Sequence, residues 1–231
     1  MKPIAHIQTE FPAKFGIPRQ SGLVPQLEAR IIFLPEYRSP DALRGLEGFS
    51  HLWLIWEFSE AKGKGWSPTV RPPRLGGNRR LGVFATRSPF RPNPIGLSCV
   101  ELGEIVQDPT LGPVVTVRGA DLMDGTPIFD IKPYLPYADC RPEAVGGFAA
   151  VPAGAALTVE IPSPWREKIP PERLCALEGV LAQDPRPSYQ ADPERVYGMA
   201  FAGLEIRFQV DGDVLRVCGA AIDRKIKEGY T

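Results

Sequence analysis

Arginine is well suited to recognising planar anions, because its guanidinium presents a rigid fork of N–H donors to carboxylates and phosphates. The stretch GVFATRSPFRPNPIGLS, residues 82–98, holds two of them, Arg87 and Arg91, with Asn93 close behind and no acidic residue. Pro89, Pro92 and Pro94 fix backbone angles around them, so these side chains are held in an irregular loop at small entropic cost. Two further loops share this character. IPRQSG, residues 17–22, presents Arg19 and Gln20, and GADLMDGTPIFDIKPYLPYAD, residues 119–139, presents Asp121, Asp124, Thr126, Asp130 and Lys132. Trp66, Phe90 and Tyr134 offer planar surfaces near the arginines. Arginine beside an aromatic ring in a rigid loop suits the splayed bases of single-stranded RNA. As residue types, the three loops describe a site for an anion and a planar ring. The same composition also suits plain tight turns, and it names no reaction.

The charge distribution points the same way. The 231-residue chain carries 27 basic and 27 acidic residues. Yet from Ala61 to Val100 there are eight basic residues (Lys62, Lys64, Arg71, Arg74, Arg79, Arg80, Arg87 and Arg91) and no Asp or Glu. That split implies an anion-binding face on an otherwise acidic body, or else a basic loop that is merely solvated.

The elements that must position these loops read as mainly β. Ile4 to Thr9 and Ala29 to Leu34 have the composition of short strands, and HLWLIWEF, residues 51–58, that of a buried one. Gly82 to Thr86, Gly96 to Val106 and Val114 to Arg118 continue the series. Asp124-Gly125 reads as a hairpin-like turn. No helical stretch of 10 to 15 residues separates these strands, which disfavours a Rossmann alternation and favours a small barrel. An Ala-, Gly- and Pro-rich stretch follows. Beyond it, Pro170-Pro171 introduces a helix over Glu172 to Gln183, with Leu174, Leu177 and Leu181 at helical spacing. Two strands turning at Asp211-Gly212-Asp213 complete a smaller second unit.

Several chemistries are excluded by what is missing. There is no GxxxxGK[ST], no GxGxxG after a strand, no HExxH and no GxSxG. The four cysteines, 99, 140, 175 and 218, form no CxxC pair, and only His6 and His51 could join them, so no metal site is expected. No apolar run of about 18 residues is present, and MKPIAHIQTEF has no apolar signal core, so a cytoplasmic protein is expected, with no membrane or DNA partner.

In their order and length, IPRQSGLV, RGLEGFSHLW, TVRPPRLGGNRRLGVFATRSPFRPNPIGLS, DLMDGTPIFDIKPYLPYAD and LAQDPRPSY resemble the TrmO family. The resemblance implies an S-adenosylmethionine-dependent methyltransferase acting on N6 of threonylcarbamoyladenosine, next to the tRNA anticodon. The fold it implies is mainly β: an N-terminal β-barrel over residues 1–148 in place of a Rossmann domain, a linker over 149–164, and a small α+β C-terminal domain over 165–231. Family members form homodimers. Matched motif by motif, Pro18, Arg19, Gln20, Arg87, Leu97, Asp124, Gly125, Thr126 and Pro127 fall at donor contacts. Ser59 and Glu60 stand where relatives carry His-Gln at the same site.

On that resemblance the remaining candidates acquire roles. Arg71, Arg74, Arg79 and Arg80 would grip anticodon-loop phosphates, and Tyr134 would offer a stacking face. Arg91 or Lys132 would read the carboxylate of the threonyl arm. Asn93 would accept a hydrogen bond from N6, and Asp124 would complement the sulfonium charge. Arg186, in DPRPSY with Asp184 and Tyr189, would bring the C-terminal unit to the tRNA side. Two other readings stay open on residue type: a donor-binding methyltransferase of a small molecule, and a non-catalytic RNA-binding barrel.

Overall fold

Strand alternation organises the first half of the chain. In the computed structural model, which describes residues 1–150, 156–187, 190 and 192–223, eight strands precede residue 134. They are β1 (Ala5–Gln8), β2 (Glu28–Phe33), β3 (His51–Glu57), β4 (Thr69–Val70), β5 (Leu81–Gly82), β6 (Ile95–Asp108), β7 (Gly112–Arg118) and β8 (Pro127–Pro133). Six of them pair in the closed order β1-β2-β7-β6-β3-β8, and the short β4 and β5 form a separate ribbon. Along β3, Leu52, Leu54 and Trp56 are buried while the residues between them are not, the period-two signature of a strand with one face on a core. Ala5, Ile7, Ile31, Val100, Val115, Val117 and Ile128 fill the same interior.

Ring order explains why the third loop lies at a barrel mouth. β7 and β8 are consecutive in sequence, but β6 and β3 stand between them on one side and β2 and β1 on the other. Residues 119–126 must therefore cross from one wall to the opposite wall. The hairpin expected at Asp124-Gly125 is not formed, since β8 pairs with β1 and β3. The dipeptide does make a tight turn: Gly125 has φ +72, which glycine adopts without steric cost. The strand expected over Gly82 to Thr86 also stops early, because Val83–Ala85 winds into a 3-10 turn.

The second unit holds β9 (Thr158–Glu160), β10 (Tyr197–Phe201), β11 (Leu204–Asp211) and β12 (Val214–Ile222), in sheet order β10-β11-β12-β9. Among the described residues three α-helices accompany the strands: α1 (Pro136–Asp139), α2 (Ser163–Arg166) and α3 (Pro171–Ala182). α3 starts on Pro171, with Glu172 in its first turn complementing the helix dipole. Its buried face is Ala176, Leu177, Val180 and Leu181.

Two boundaries differ from those read in the sequence. The expected linker over 149–164 contains β9, which pairs in parallel with β12, and the start of α2. A three-residue strand shows no periodicity, and its partner lies more than fifty residues further on, so nothing local marks it. The loop between β1 and β2 also belongs partly to the second core. Phe11, Val24 and Leu27 pack there, with Phe11 edge-on to Phe201 at 5.5 Å between ring centroids. An ion pair from Glu10 to Arg173 of α3, at 2.8 Å, ties the same loop to the second unit. All four cysteines are free thiols; Cys140 and Cys175 are exposed. Among the described residues no helix is long and apolar enough to cross a membrane, and no cluster of His, Cys, Asp and Glu could hold a metal ion.

Candidate functional site

The β3–β6 register puts Trp56 opposite Gly96. Without a side chain at Gly96, the indole lies flat against β6; a Cβ there would come within 2.2 Å of the ring. In that position the indole N–H donates to Ser98 Oγ at 3.0 Å, and the Ser98 hydroxyl donates to Asp121 Oδ1 at 2.5 Å. The direction of this relay is fixed, because an indole nitrogen can only donate. Ser98 is 1% exposed and Trp56 is also buried, so the relay is shielded from water. Its two ends, Trp56 and Asp121, line a cavity of about 510 Å3, within the range of small-molecule sites.

Burial pushes the Asp121 carboxyl above the ordinary range. The Ser98 hydroxyl opposes that push most strongly, with help from its own amide, the Arg87 charge and the Ser21 amide. Trp56 and Phe58 meet edge to face at 4.3 Å and, with Leu97, make an apolar wall. Leu97 is 53% exposed, on the cavity side.

The rim is polar and drawn from distant loops. Arg87 donates to the side-chain oxygen of Gln20, and Gln20 donates to the Arg19 carbonyl. The Arg19 guanidinium reaches the carbonyls of Asp184 and Arg186, at 3.5 and 3.3 Å. These carbonyls are held by a two-point pairing of Arg186 with Asp184, at 2.8 and 3.0 Å, with Asp184 in the left-handed region at φ +49. Arg91 donates to the Thr86 and Val83 carbonyls, at 2.7 and 3.2 Å, and its guanidinium lies 5.7 Å from the Phe84 ring centre. It therefore fixes the shape of its own loop while lining the cavity. Of the other cavity carboxylates, Glu57 is paired with Lys62 at 3.1 Å and Glu60 with Lys14 at 3.5 Å.

The structure thus brings Pro18, Arg19, Gln20, Ser59, Glu60, Arg87, Arg91, Leu97 and Thr126 into one wall. Asp124, Gly125 and Pro127 stand behind it. Asp124 accepts the Thr9 amide at 3.0 Å, the Gly125 amide donates to the Ile7 carbonyl at 2.9 Å, and Pro127 is paired with His6. These contacts pin the turn that carries Thr126, so Asp124 serves the backbone and does not face the cavity.

Other candidates lie outside. Asn93 is exposed in a turn closed by the Ile95 amide on its carbonyl at 2.8 Å, and it does not line the cavity. Lys132 is in register with Trp53, on the outward face of the barrel, and pairs with Asp130 at 3.0 Å. Tyr134 sits beside Trp53 and His51 on that same outer side. Arg186 is engaged by Asp184 and mostly covered. Arg71, Arg79 and Arg80 are exposed on and around the β4–β5 ribbon; the Arg74 side chain, like Tyr189, lies outside the described residues. The ribbon is anchored to the cavity loop by the Val83 amide on the Pro68 carbonyl at 3.0 Å.

Sequence reasoning placed Asp121 among third-loop carboxylates suited to a cationic ligand or a sugar hydroxyl, and it missed Trp56 and Ser98. The signal for these two was the apolar run HLWLIWEF and the Gly-x-Ser of β6, which acquire meaning only once the register pairs them.

Known proteins match this arrangement along nearly the whole chain. Residues 6–140 match the tRNA-methyltransferase O N-terminal domain, and residues 160–222 the TrmO C-terminal domain. The chain belongs to the TrmO family. Membership makes it an enzyme of the methyltransferase class. It is 43% identical over 217 residues to the Escherichia coli K12 tRNA (adenine(37)-N6)-methyltransferase, covering 90% of this chain and 91% of that one. A Pseudomonas aeruginosa relative, 41% identical over 229 residues (96% and 97% covered), carries a provisional name as an S-adenosylmethionine-dependent methyltransferase. The crystal structure of TrmO from Pseudomonas aeruginosa superposes with a TM-score of 0.74 at 35% identity, covering 95% of this chain and 97% of that one.

Proposed function

We propose that this TrmO-family chain transfers the methyl group of S-adenosylmethionine to N6 of adenine 37 in tRNA, with the threonylcarbamoyl-modified base as substrate and a homodimer as the working form. The observation that carries the reading is the meeting of three family motifs, at Arg19-Gln20, Arg87 and Thr126, around one cavity of donor size. Its residue types fit the donor. Arg19 and Arg87 match a carboxylate, and Trp56, Phe58 and Leu97 match a purine face. S-adenosylmethionine supplies an already activated methyl group, so the protein's work is mainly alignment of the two reactants.

Arg71, Arg79 and Arg80 extend a basic surface from the cavity rim, suited to anticodon-loop phosphates. Phe84, 74% exposed with Arg91 against its ring, suits an unstacked base. The test is methylation of bulk tRNA from cells lacking this gene, with radiolabelled donor, followed by nucleoside analysis. Label on threonylcarbamoyladenosine is the expected result. Donor binding without label on any tRNA nucleoside would point to a small-molecule acceptor, and absence of donor binding to an RNA-binding barrel.

A further inference from the structure

Methylation of N6 requires the proton on that nitrogen to leave, and few groups on the cavity wall can take it. Lys14, Lys64, Arg19, Arg87 and Arg91 bring hydrogen-bond donors and no acceptor. Glu57 and Glu60 are committed to Lys62 and Lys14. Asn93 lies outside the wall. Asp121 is the one carboxylate on the wall without an ion pair among the described residues, and Ser98 holds one of its oxygens.

We propose that Asp121 is the proton acceptor of the reaction, held in place by Ser98 and Trp56; this rests on the functional reading above. The N6 lone pair forms the new N–C bond, and the S–C bond of the donor breaks with its electrons returning to sulfur. The N6 proton passes to Asp121, which becomes a neutral carboxylic acid and releases the proton to solvent before the next turnover. The relay serves this in two ways. Trp56 makes Ser98 a donor, so Ser98 holds Oδ1 and fixes the orientation of the carboxylate. Burial makes the carboxylate a stronger base than an exposed one. The groups facing it are Ser98 from β6, Arg87 from its loop and the Ser21 amide, all of which favour the ionised form against the push of burial.

The test uses the full-length protein and the near-isosteric Asp121→Asn variant. Calorimetry measures affinity for S-adenosylmethionine and for the uncharged S-adenosylhomocysteine, and single-turnover methylation of tRNA is followed across pH. Both affinities should stay within about threefold of wild type while the rate falls by about 10²- to 10⁴-fold, the usual contribution of a positioned base. The wild-type rate should drop on the acid side as Asp121 protonates, and that limb should vanish in the variant. Ser98→Ala removes the strongest influence holding the Asp121 pKa down, so its acid limb should move to higher pH, a shift that loss of packing alone would not produce.

A variant rate within threefold of wild type overturns the proposal. So does a selective loss of S-adenosylmethionine over S-adenosylhomocysteine affinity, which would make Asp121 a counter-charge to the sulfonium. A wild-type protein that binds donor but leaves tRNA unmethylated overturns the functional reading and this role with it, whereas an active wild type with an equally active Asp121→Asn variant overturns this role alone.

Discussion

Gly96→Ala should damage the site more than any other single methyl group added to the barrel. The new Cβ would lie 2.2, 2.4 and 2.6 Å from three atoms of the Trp56 indole, where carbon atoms settle at about 3.5 to 4.0 Å. The ring must tilt by more than an ångström or β3 must part from β6. Forced overpacking of this kind costs about 1–3 kcal/mol. Tilting also breaks the indole bond to Ser98, leaving a buried donor unmatched at about 1–3 kcal/mol. Against this, replacing glycine in a strand returns about 0.5–1 kcal/mol. The expected net loss is about 1–5 kcal/mol, with donor affinity reduced because Trp56, which lines the cavity, has moved. Urea unfolding followed by tryptophan fluorescence reads the first, and calorimetry with S-adenosylmethionine the second. Gly48→Ala, where an added Cβ meets nothing within 4 Å, is the control and should stay within about 0.5 kcal/mol. Replacing Trp56 by Phe in the Gly96→Ala background should recover part of the loss, since the smaller ring clears the Cβ. A Gly96→Ala protein matching wild type in both assays would refute the argument that the missing side chain seats the indole.

Two further perturbations separate the remaining contacts. Asp184→Ala removes the pairing that holds the Arg186 segment under Arg19, so donor affinity should fall about tenfold, on the order of 1.4 kcal/mol, with little change in urea midpoint; an unaltered affinity would show that Arg19 is positioned by other means. The Asp139 carboxylate is held below its ordinary value of 3.8, first by the Leu135 amide and then by the Trp53 indole, so the stability it adds is present above that value and lost as pH falls through the lower, folded one. The stability gap between wild type and Asp139→Asn should therefore be full near neutral pH and close below about pH 3.8. Glu10 has the opposite sign. Burial raises it above 4.5 despite Arg173, so the folded state is disfavoured as pH climbs from 4.5 through the raised value, and Glu10→Gln should remove that decline in a pH series of unfolding curves.

Much of this protein is written locally. The basic run from 61 to 100, the proline-fixed loops, the alternation of β3 and the leucines of α3 are properties of neighbouring residues, and so are the family motifs built from them. Short-range chemistry therefore determines which residues are presented, and the arginines of the rim could be named without coordinates. Tertiary structure decided which of them share a space. Register set Trp56 against Gly96 and placed Ser98 over Asp121, while ring order carried residues 119–126 across the barrel mouth. It turned Lys132 outward by strand parity, left Asn93 in a solvent-facing turn, and gave Asp124 to the Thr9 amide. These outcomes depend on pairings between strands far apart in sequence, where a shift of one residue would reverse every side chain. No local pattern encodes that choice; it is fixed only when the whole ring closes around its core.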